Sequence, residues 1–369
     1  MADLFAVAEQ FTPQGRVIDV RSFGNGNIND TFLVTRDTQG NAKVEKHFVL
    51  QRINTHVFRR PDLVMSNMRT STEHIHRRLQ HVDHSTGRRW EVPVVLLAQD
   101  GQDHWLDTGG SFWRAISFIE GAKSFDTIRD AGHAGEVGYA LGMFHLLLSD
   151  LPPDRLADTL EGFHITPRYL QHYDEVLAKY SAVESPELNY CLRFVSSRRD
   201  WAHVLENARA EGRLLLRPIH GDPKVNNILM DTETMQAVSI VDLDTVKPGL
   251  VHYDIGDCLR SGCNPMGEET GEWEAVYFEA DLCRAILRGY LSTAREFLTG
   301  NDFDYLFHSV RLIAFELGLR FFTDHLEGDV YFRAKHTGHN LARALVQFRL
   351  TESIEVQETA IRNIIREIR

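Results

Sequence analysis

His220-Gly221-Asp222-Pro223-Lys224-Val225-Asn226-Asn227 leads into the apolar run Ile228-Leu229-Met230, and Val241-Asp242-Leu243-Asp244 follows one short strand later. Within this hairpin stand a carboxylate, a lysine two residues on, an asparagine five residues on and a further acid. Phosphoryl transfer asks for such a set. A carboxylate must orient and deprotonate the attacking hydroxyl, and hard oxygen ligands must hold the Mg²⁺ that bridges nucleotide phosphates. Asp222 sits between Gly and Pro in a loop, where a side chain can face a cleft, and is expected to be the catalytic base and an acceptor contact. Asn227, at the exit of the loop, and Asp242, at the end of the next strand, are expected to share the metal. Lys224 can meet the transferring phosphate as a compact charge, and His220 is expected to brace the loop by hydrogen bonds. Taken singly, Asp222 and Asn227 could be ordinary turn residues. That reading does not account for the loop, the strand and the second acid together.

The elements that must position this hairpin come in two blocks. Residues 16–23, 30–35 and 47–52 are short β-branched and aromatic runs separated by Gly and Asn turns, and 61–80 has apolar residues at helical spacing. Strand signals resume at 91–97, 104–107 and 112–119. After Glu120-Gly121 the period becomes helical: 131–148, then 166–180 and 186–209. Strands return briefly at 214–219, 228–230 and 237–241, ahead of long helical segments at 272–297, 302–324 and 338–368. The expected fold is α+β: a small antiparallel-sheet lobe over residues 1–120 and a larger, mainly helical lobe over 121–369. A chain of 369 residues supports two cores and a cleft between them.

Composition narrows the partners. With a formal charge of −12 the chain is repelled by phosphate backbones, which argues against nucleic acid or an anionic membrane. No run of 18 apolar residues occurs, and Met1-Ala2-Asp3-Leu4-Phe5 lacks the basic start of a signal peptide, so a cytoplasmic location is expected. Cys191, Cys258, Cys263 and Cys283 have no zinc spacing and are expected to be buried thiols. His74, His76, His81 and His84 lie among Arg77, Arg78 and Asp83, which favours a solvated helix face over a metal site.

The loop and the Asp242 strand resemble the aminoglycoside phosphotransferase and choline kinase superfamily, whose fold is bilobal and protein-kinase-like. More closely, several stretches resemble the bacterial N-acetylhexosamine 1-kinases. They are Gly24-Asn25-Gly26-Asn27-Ile28-Asn29, Phe48-Val49-Leu50-Gln51-Arg52-Ile53-Asn54, Phe118-Ile119-Glu120, the segment 226–231, Asp242-Leu243-Asp244-Thr245 and Leu326-Glu327-Gly328-Asp329-Val330-Tyr331-Phe332. The resemblance implies transfer from ATP with Mg²⁺ to the anomeric hydroxyl of N-acetylglucosamine or N-acetylgalactosamine. A second reading keeps the mechanism and changes the acceptor to another sugar, choline, homoserine or an aminoglycoside. A third, of a different class, is a catalytically silent nucleotide-binding module.

On the nucleotide side, Gly24 and Gly26 fit a glycine-rich lid between two strands, not the strand-to-helix turn of a dinucleotide site. Glu120 falls at the hinge beside the base. Kinase-like folds carry a lysine on the third strand; here the position is Gln51, with Arg52 on the opposite face, so phosphate contact falls to Gln51, the lid or Lys224. By location alone, Glu73 is a candidate for the helix glutamate that partners the third-strand position. On the acceptor side, Arg320 stands among apolar neighbours on a predicted helix and needs a polar partner. The resemblance implies acceptor contacts by Arg320 and Tyr331, while pairing of Arg320 with Asp324 is the alternative. Asn27 stands where the hexosamine kinases carry His, a shorter side chain that keeps donor and acceptor capacity. Asp254 and Asp257 are expected to hold the Asp222 loop by hydrogen bonds from behind.

Overall fold

The computed structural model describes residues 3–12, 15–24, 28–37, 46–81, 87–180 and 185–369. A short helix, α1 (Leu4–Gln10), precedes three sequential strands, β1 (Arg16–Ser22), β2 (Asp30–Asp37) and β3 (His47–Ile53). Helix α2 (Pro61–Leu79) and strands β4 (Val95–Leu96), β5 (Trp105–Leu106) and β6 (Phe112–Ser117) complete the small lobe. The strands form one antiparallel sheet in the order β1-β2-β3-β6-β4, with β5 also on β6. Alternation decides what each face does. Phe48, Leu50, Trp113 and Ala115 pack with Val17 and Val34, and α1 with its C-cap residue adds Val7, Ala8 and Phe11 to that core. The intervening Gln51 and Arg114 therefore leave the sheet on the other side, toward the second lobe.

That lobe begins with β7 (Ala122–Lys123) and α3 (Ala131–Leu148), then α4 (Thr166–Leu177), α5 (Pro186–Ser196) and α6 (Val204–Ala210). Strands β8 (Arg217–Ile219), β9 (Ile228–Asp231), β10 (Ala237–Ile240) and β11 (Lys247–Gly249) carry the hairpin, in two small sheets ordered β10-β9-β7 and β11-β8. Helices α7 (Val251–Gly262), α8 (Ala280–Ala294), α9 (Gly300–Glu327), α10 (His339–Val356) and α11 (Glu358–Ile368) follow. A small antiparallel-sheet lobe joined to a larger helical one is the bilobal, protein-kinase-like α+β arrangement. Among the described residues no helix is long and apolar enough to cross a membrane.

Several elements depart from the sequence reading. Helix α1 has no sequence forecast; seven residues are too few for a periodic signal. The stretch 186–209 breaks at a 3₁₀ turn, Arg199–His203, and 338–368 splits at Gln357, whose Nε2 donates to the Phe278 carbonyl at 2.7 Å. Helix α7 is the largest omission. Nearly every residue in it is buried, polar ones included, because His252, Asp254, Asp257 and Arg260 find partners inside the lobe. An all-buried helix with polar residues on several sides shows no amphipathic stripe. Helices α3 and α8 meet backbone to backbone: a Cβ on Gly138 would lie 1.9 Å from the Ile286 carbonyl oxygen, and one on Gly289 1.9 Å from that of Gly135. The four cysteines are buried and free.

Candidate active site

The Asp222 loop is held by three side chains from outside it. The Asp254 carboxylate of α7 accepts from the backbone N–H groups of His220 and Gly221 at 2.7 and 2.8 Å, and from His145 Nε2 of α3 at 2.8 Å. Thr245 Oγ1 donates to the His220 carbonyl at 2.8 Å. His164 bridges the Gly221 carbonyl at 2.7 Å and Glu316 Oε1 of α9 at 2.9 Å. Inside the loop, His220 Nδ1 accepts from Asp222 N at 3.2 Å and Nε2 donates to the Val241 carbonyl at 3.0 Å. Both ring nitrogens are thus consumed by backbone, and burial holds the imidazole below the ordinary histidine range. His220 braces, as its setting suggested. Gly221 has φ +88°, and a Cβ there would sit 2.8 Å from the Thr245 carbonyl oxygen, so only glycine fits this turn.

The hairpin then brings the chemical residues together. Lys224 Nζ donates to Asp222 Oδ2 at 2.7 Å, and Asn227 Nδ2 donates to the Asp222 carbonyl at 2.7 Å and to its Oδ2 at 3.3 Å. With its amide nitrogen so engaged, Asn227 has Oδ1 left for another ligand. Burial works against ionisation of Asp222, but the Lys224 ammonium holds its carboxyl below the usual carboxylate range. Val241 N donates to the Asn227 carbonyl at 2.8 Å, which ties the strand of Asp242 to the loop. Asp242 itself adopts a left-handed backbone, φ +65° and ψ +57°, a conformation uncommon for non-glycine residues and one that Asp tolerates better than most.

The surroundings of Asp242 fit a divalent cation. Burial, with the Asp244 and Asp222 carboxylates nearby, pushes its carboxyl up to about 7, and it accepts no hydrogen bond from any described residue. Bound Mg²⁺ would offset that repulsion. Among the described residues no three His, Cys, Asp or Glu side chains converge on one point. Asn227 and Asp242 would then supply two ligands and nucleotide and water oxygens the rest, the usual manner of a Mg²⁺ site.

Two cavities meet at Asp222. The larger, about 410 Å³, runs between the lobes and is lined by Phe23, Gly24, Gln51, Phe118, Lys224, Asn227 and Asp242, among others. The smaller, about 150 Å³, lies behind the loop and takes in Asp222, Arg320 and Tyr331. Of the residues singled out in the sequence, Gly24, Gln51, Lys224, Asn227 and Asp242 thus share one cavity, and Arg320 and Tyr331 share the other. Gly26 and Asn27 lie outside the described residues, as does His84.

Other expectations are corrected. Glu120 is not among the residues lining the larger cavity, because its carboxylate turns to His47 Nδ1 at 2.6 Å. Glu73 pairs with Arg69 on the outer face of α2, and the α2 residue that lines the cavity is Met68. Asp257 does not hold the loop; its Oδ1 accepts from Arg260 Nε at 2.8 Å. Nor does Asp324 pair with Arg320: its two oxygens accept the backbone N–H groups of Val330, Tyr331 and Phe332 at 2.7–3.0 Å and the Asn340 amide at 2.9 Å. On α2, His74 bonds to Asp150 and His76 to the Thr72 carbonyl.

A family model described as the phosphotransferase enzyme family matches residues 19–294, most of the chain. The chain belongs to this phosphotransferase family. It is a small-molecule phosphotransferase with an alcohol group as acceptor. Solved structures share its fold. A microcompartment-associated aminopropanol kinase has 16% identity and a TM-score of 0.61, with 97% of this chain and 98% of that one covered. A choline kinase from Cryptosporidium parvum Iowa II has 15% identity, a TM-score of 0.57 and coverage of 94% and 91%. An aminoglycoside phosphotransferase from Alicyclobacillus acidocaldarius subsp. acidocaldarius DSM 446 has 15% identity, a TM-score of 0.56 and coverage of 100% and 97%.

The sequence reading passed over three residues of this phosphotransferase's cleft. The buried Arg114 of β6 and Asp244, with the half-buried Asn29, form a network beside Gln51. A charged residue inside Phe112-Trp113-Arg114-Ala115-Ile116 was the available signal, since a strand buried on both faces tolerates an arginine only with a partner.

Proposed function

We propose that the chain is an ATP- and Mg²⁺-dependent kinase that phosphorylates the anomeric hydroxyl of an N-acetylhexosamine, N-acetylglucosamine or N-acetylgalactosamine, to the sugar 1-phosphate. Asp222 accepts the proton of the attacking hydroxyl. Lys224, now on Asp222, is within reach of both the base and the metal-side acids and balances charge as the phosphoryl group crosses. Asn227 and Asp242 would hold Mg²⁺, whose charge neutralises the nucleotide phosphates. Gly24, Gly26 and Gln51 serve the phosphates, and Glu120 supports the hinge through His47. The lobes divide at Gly121, into residues 1–120 and 121–369, and the enzyme works in the cytoplasm on small sugars.

The observation that carries the acceptor class is the state of Arg320. Its guanidinium lies 5.0–5.9 Å from the ring centres of Phe163, Tyr169, Phe332 and Tyr331, and it makes no hydrogen bond or ion pair with a described residue. An aromatic cage that could hold a quaternary ammonium is therefore already filled by a cation of the protein. Its donors face the cavity that contains Asp222 and want oxygen acceptors, which sugar hydroxyls and an N-acetyl carbonyl provide. Choline, ethanolamine and polycationic aminoglycosides would meet like charge instead. Asn27, in place of His, governs which hexosamine is preferred.

The test is ADP release across a panel of N-acetylglucosamine, N-acetylgalactosamine, glucose, choline, homoserine and an aminoglycoside. The N-acetylhexosamines should exceed the cationic acceptors in kcat/KM by on the order of 10²-fold or more. Asp222→Asn should lower kcat by on the order of 10²-fold with nucleotide KM little changed. A preference for choline or an aminoglycoside would overturn the acceptor assignment.

A further inference from the structure

Kinase-like folds pair a third-strand lysine with a helix glutamate beneath the nucleotide phosphates. Here the two positions facing the cleft are Gln51 and Met68. The positive charge stands one strand away. Gln51 and Arg114 are direct cross-strand partners between β3 and β6, so both side chains leave the sheet on the cleft side. Arg114 is only 1% exposed and gives two hydrogen bonds to Gln51 Oε1, from Nε at 2.9 Å and Nη2 at 2.7 Å. Nη2 also ion-pairs with Asp244, which in turn accepts from Asn29 Nδ2 at 2.6 Å. Nη1 of Arg114 is buried and has no acceptor among the described residues.

This arrangement fixes what Gln51 can offer. With Oε1 occupied twice by the guanidinium, a flipped amide would set its own N–H groups against those of Arg114. Gln51 must therefore keep its nitrogen turned away from Arg114. One Nε2 hydrogen goes to Thr31 Oγ1 at 3.1 Å; a primary amide has two, and the second, which meets no acceptor among the described residues, is left for a ligand. The other cationic side chains lining the cavity are Lys123 and Lys224, and Lys224 is held by Asp222. Buried charge behind an oriented donor acts in a low-dielectric setting, where it counts for more than in water.

We propose that Arg114 is the positioning residue for nucleotide phosphate binding, locking Gln51 as a donor toward the cleft and supplying from β6 the positive charge that a third-strand lysine would otherwise bring. Asp244 and Asn29 hold the guanidinium in place from the larger lobe and the lid. The proposal rests on nucleotide-dependent phosphotransfer and is independent of the acceptor.

Isothermal titration of the full chain with MgADP, and separately with adenosine, tests it without any acceptor. Arg114→Met should weaken MgADP by on the order of 10-fold or more and leave adenosine within about twofold, because only the phosphates read the lost charge. Gln51→Glu keeps the partner of Arg114, and with it the packing, but removes the donor; it should show the same split between ADP and adenosine. The double variant Gln51→Lys with Arg114→Met returns the charge to the third strand and should recover most of the lost ADP affinity. Three results would overturn the proposal: unchanged ADP affinity in Gln51→Glu, equal losses for ADP and adenosine, or a folded double variant no better than Arg114→Met. An N-acetylhexosamine that is not turned over would leave these titrations as they are.

Discussion

Replacing Asp254 by Asn should damage both stability and turnover, and the two losses can be anticipated from its contacts. The carboxylate is fully buried and accepts three hydrogen bonds, from His220 N, Gly221 N and His145 Nε2. Burial opposes its charge, but the bonds from His145 and the His220 backbone keep it below the usual carboxylate range, so the ionised form is the one the loop uses. An asparagine of the same shape offers one acceptor oxygen and turns an NH₂ toward at least one donor. Each buried donor left without an acceptor costs about 1–3 kcal/mol, which puts the substitution at about 2–4 kcal/mol. Asp254→Ala strands all three and should cost about 3–9 kcal/mol, much of the roughly 5–15 kcal/mol that a domain possesses. Because Gly221 adjoins Asp222, the freed loop should also misplace the Asp222 carboxylate, the proposed base, and lower kcat by on the order of 10-fold or more, with nucleotide KM little changed. Urea unfolding and steady-state ADP release on the same preparations read the two effects. An Asp254→Asn enzyme with the wild-type urea midpoint and the wild-type kcat would refute the claim that this carboxylate shapes the loop.

Other consequences follow from single contacts. Arg320→Met should raise the acceptor KM by about 10- to 100-fold while nucleotide KM holds, the size expected for losing charge-assisted hydrogen bonds; an unchanged acceptor KM would remove Arg320 from the acceptor site. Gly289→Ala forces a methyl to 1.9 Å from the Gly135 carbonyl oxygen, so α3 and α8 must separate; a loss of about 1–3 kcal/mol or more in urea unfolding is expected, and wild-type stability would show that the helices slide apart freely. His308 is held down to about 4 by burial and by Arg311 and Arg362, against an ordinary 6.5. Its folded value lies below its unfolded one, so the stability it permits is complete above about pH 6.5 and is lost as pH falls toward 4. Partial exposure discounts this to at most about 2 kcal/mol. The Tm of His308→Gln should therefore fall less than that of the wild type between pH 7 and 4.5, and parallel curves would contradict the assignment.

The hairpin was legible because chemistry and turn formation select the same residue types: Asp222, Lys224, Asn227 and Asp242 are read from spacing, and the fold brings them together. Strands β1 to β3 and helix α3 were legible from apolar period, with ends displaced by a residue or two at most. Pairings across long separations were not. The partner of Gln51 lies 63 residues away, and that of His164 152 residues away, at Glu316; no local pattern marks either. Helix α7 was hidden by its own burial, and Asp324 gave no sign that it would cap the 330–332 loop instead of pairing with Arg320 one turn earlier. The same compensation explains Glu120, whose carboxylate is taken by His47 from a neighbouring strand.

The central claim is that the Asp222 loop directs phosphate onto the anomeric oxygen of an N-acetylhexosamine, and phosphorus NMR of the product formed from ATP and N-acetylglucosamine measures it directly. A phosphorus resonance coupled to the proton on C1, absent with Asp222→Asn, is the predicted result. Coupling to the C6 protons, or a phosphorylated product from choline or an aminoglycoside but none from either N-acetylhexosamine, would contradict it.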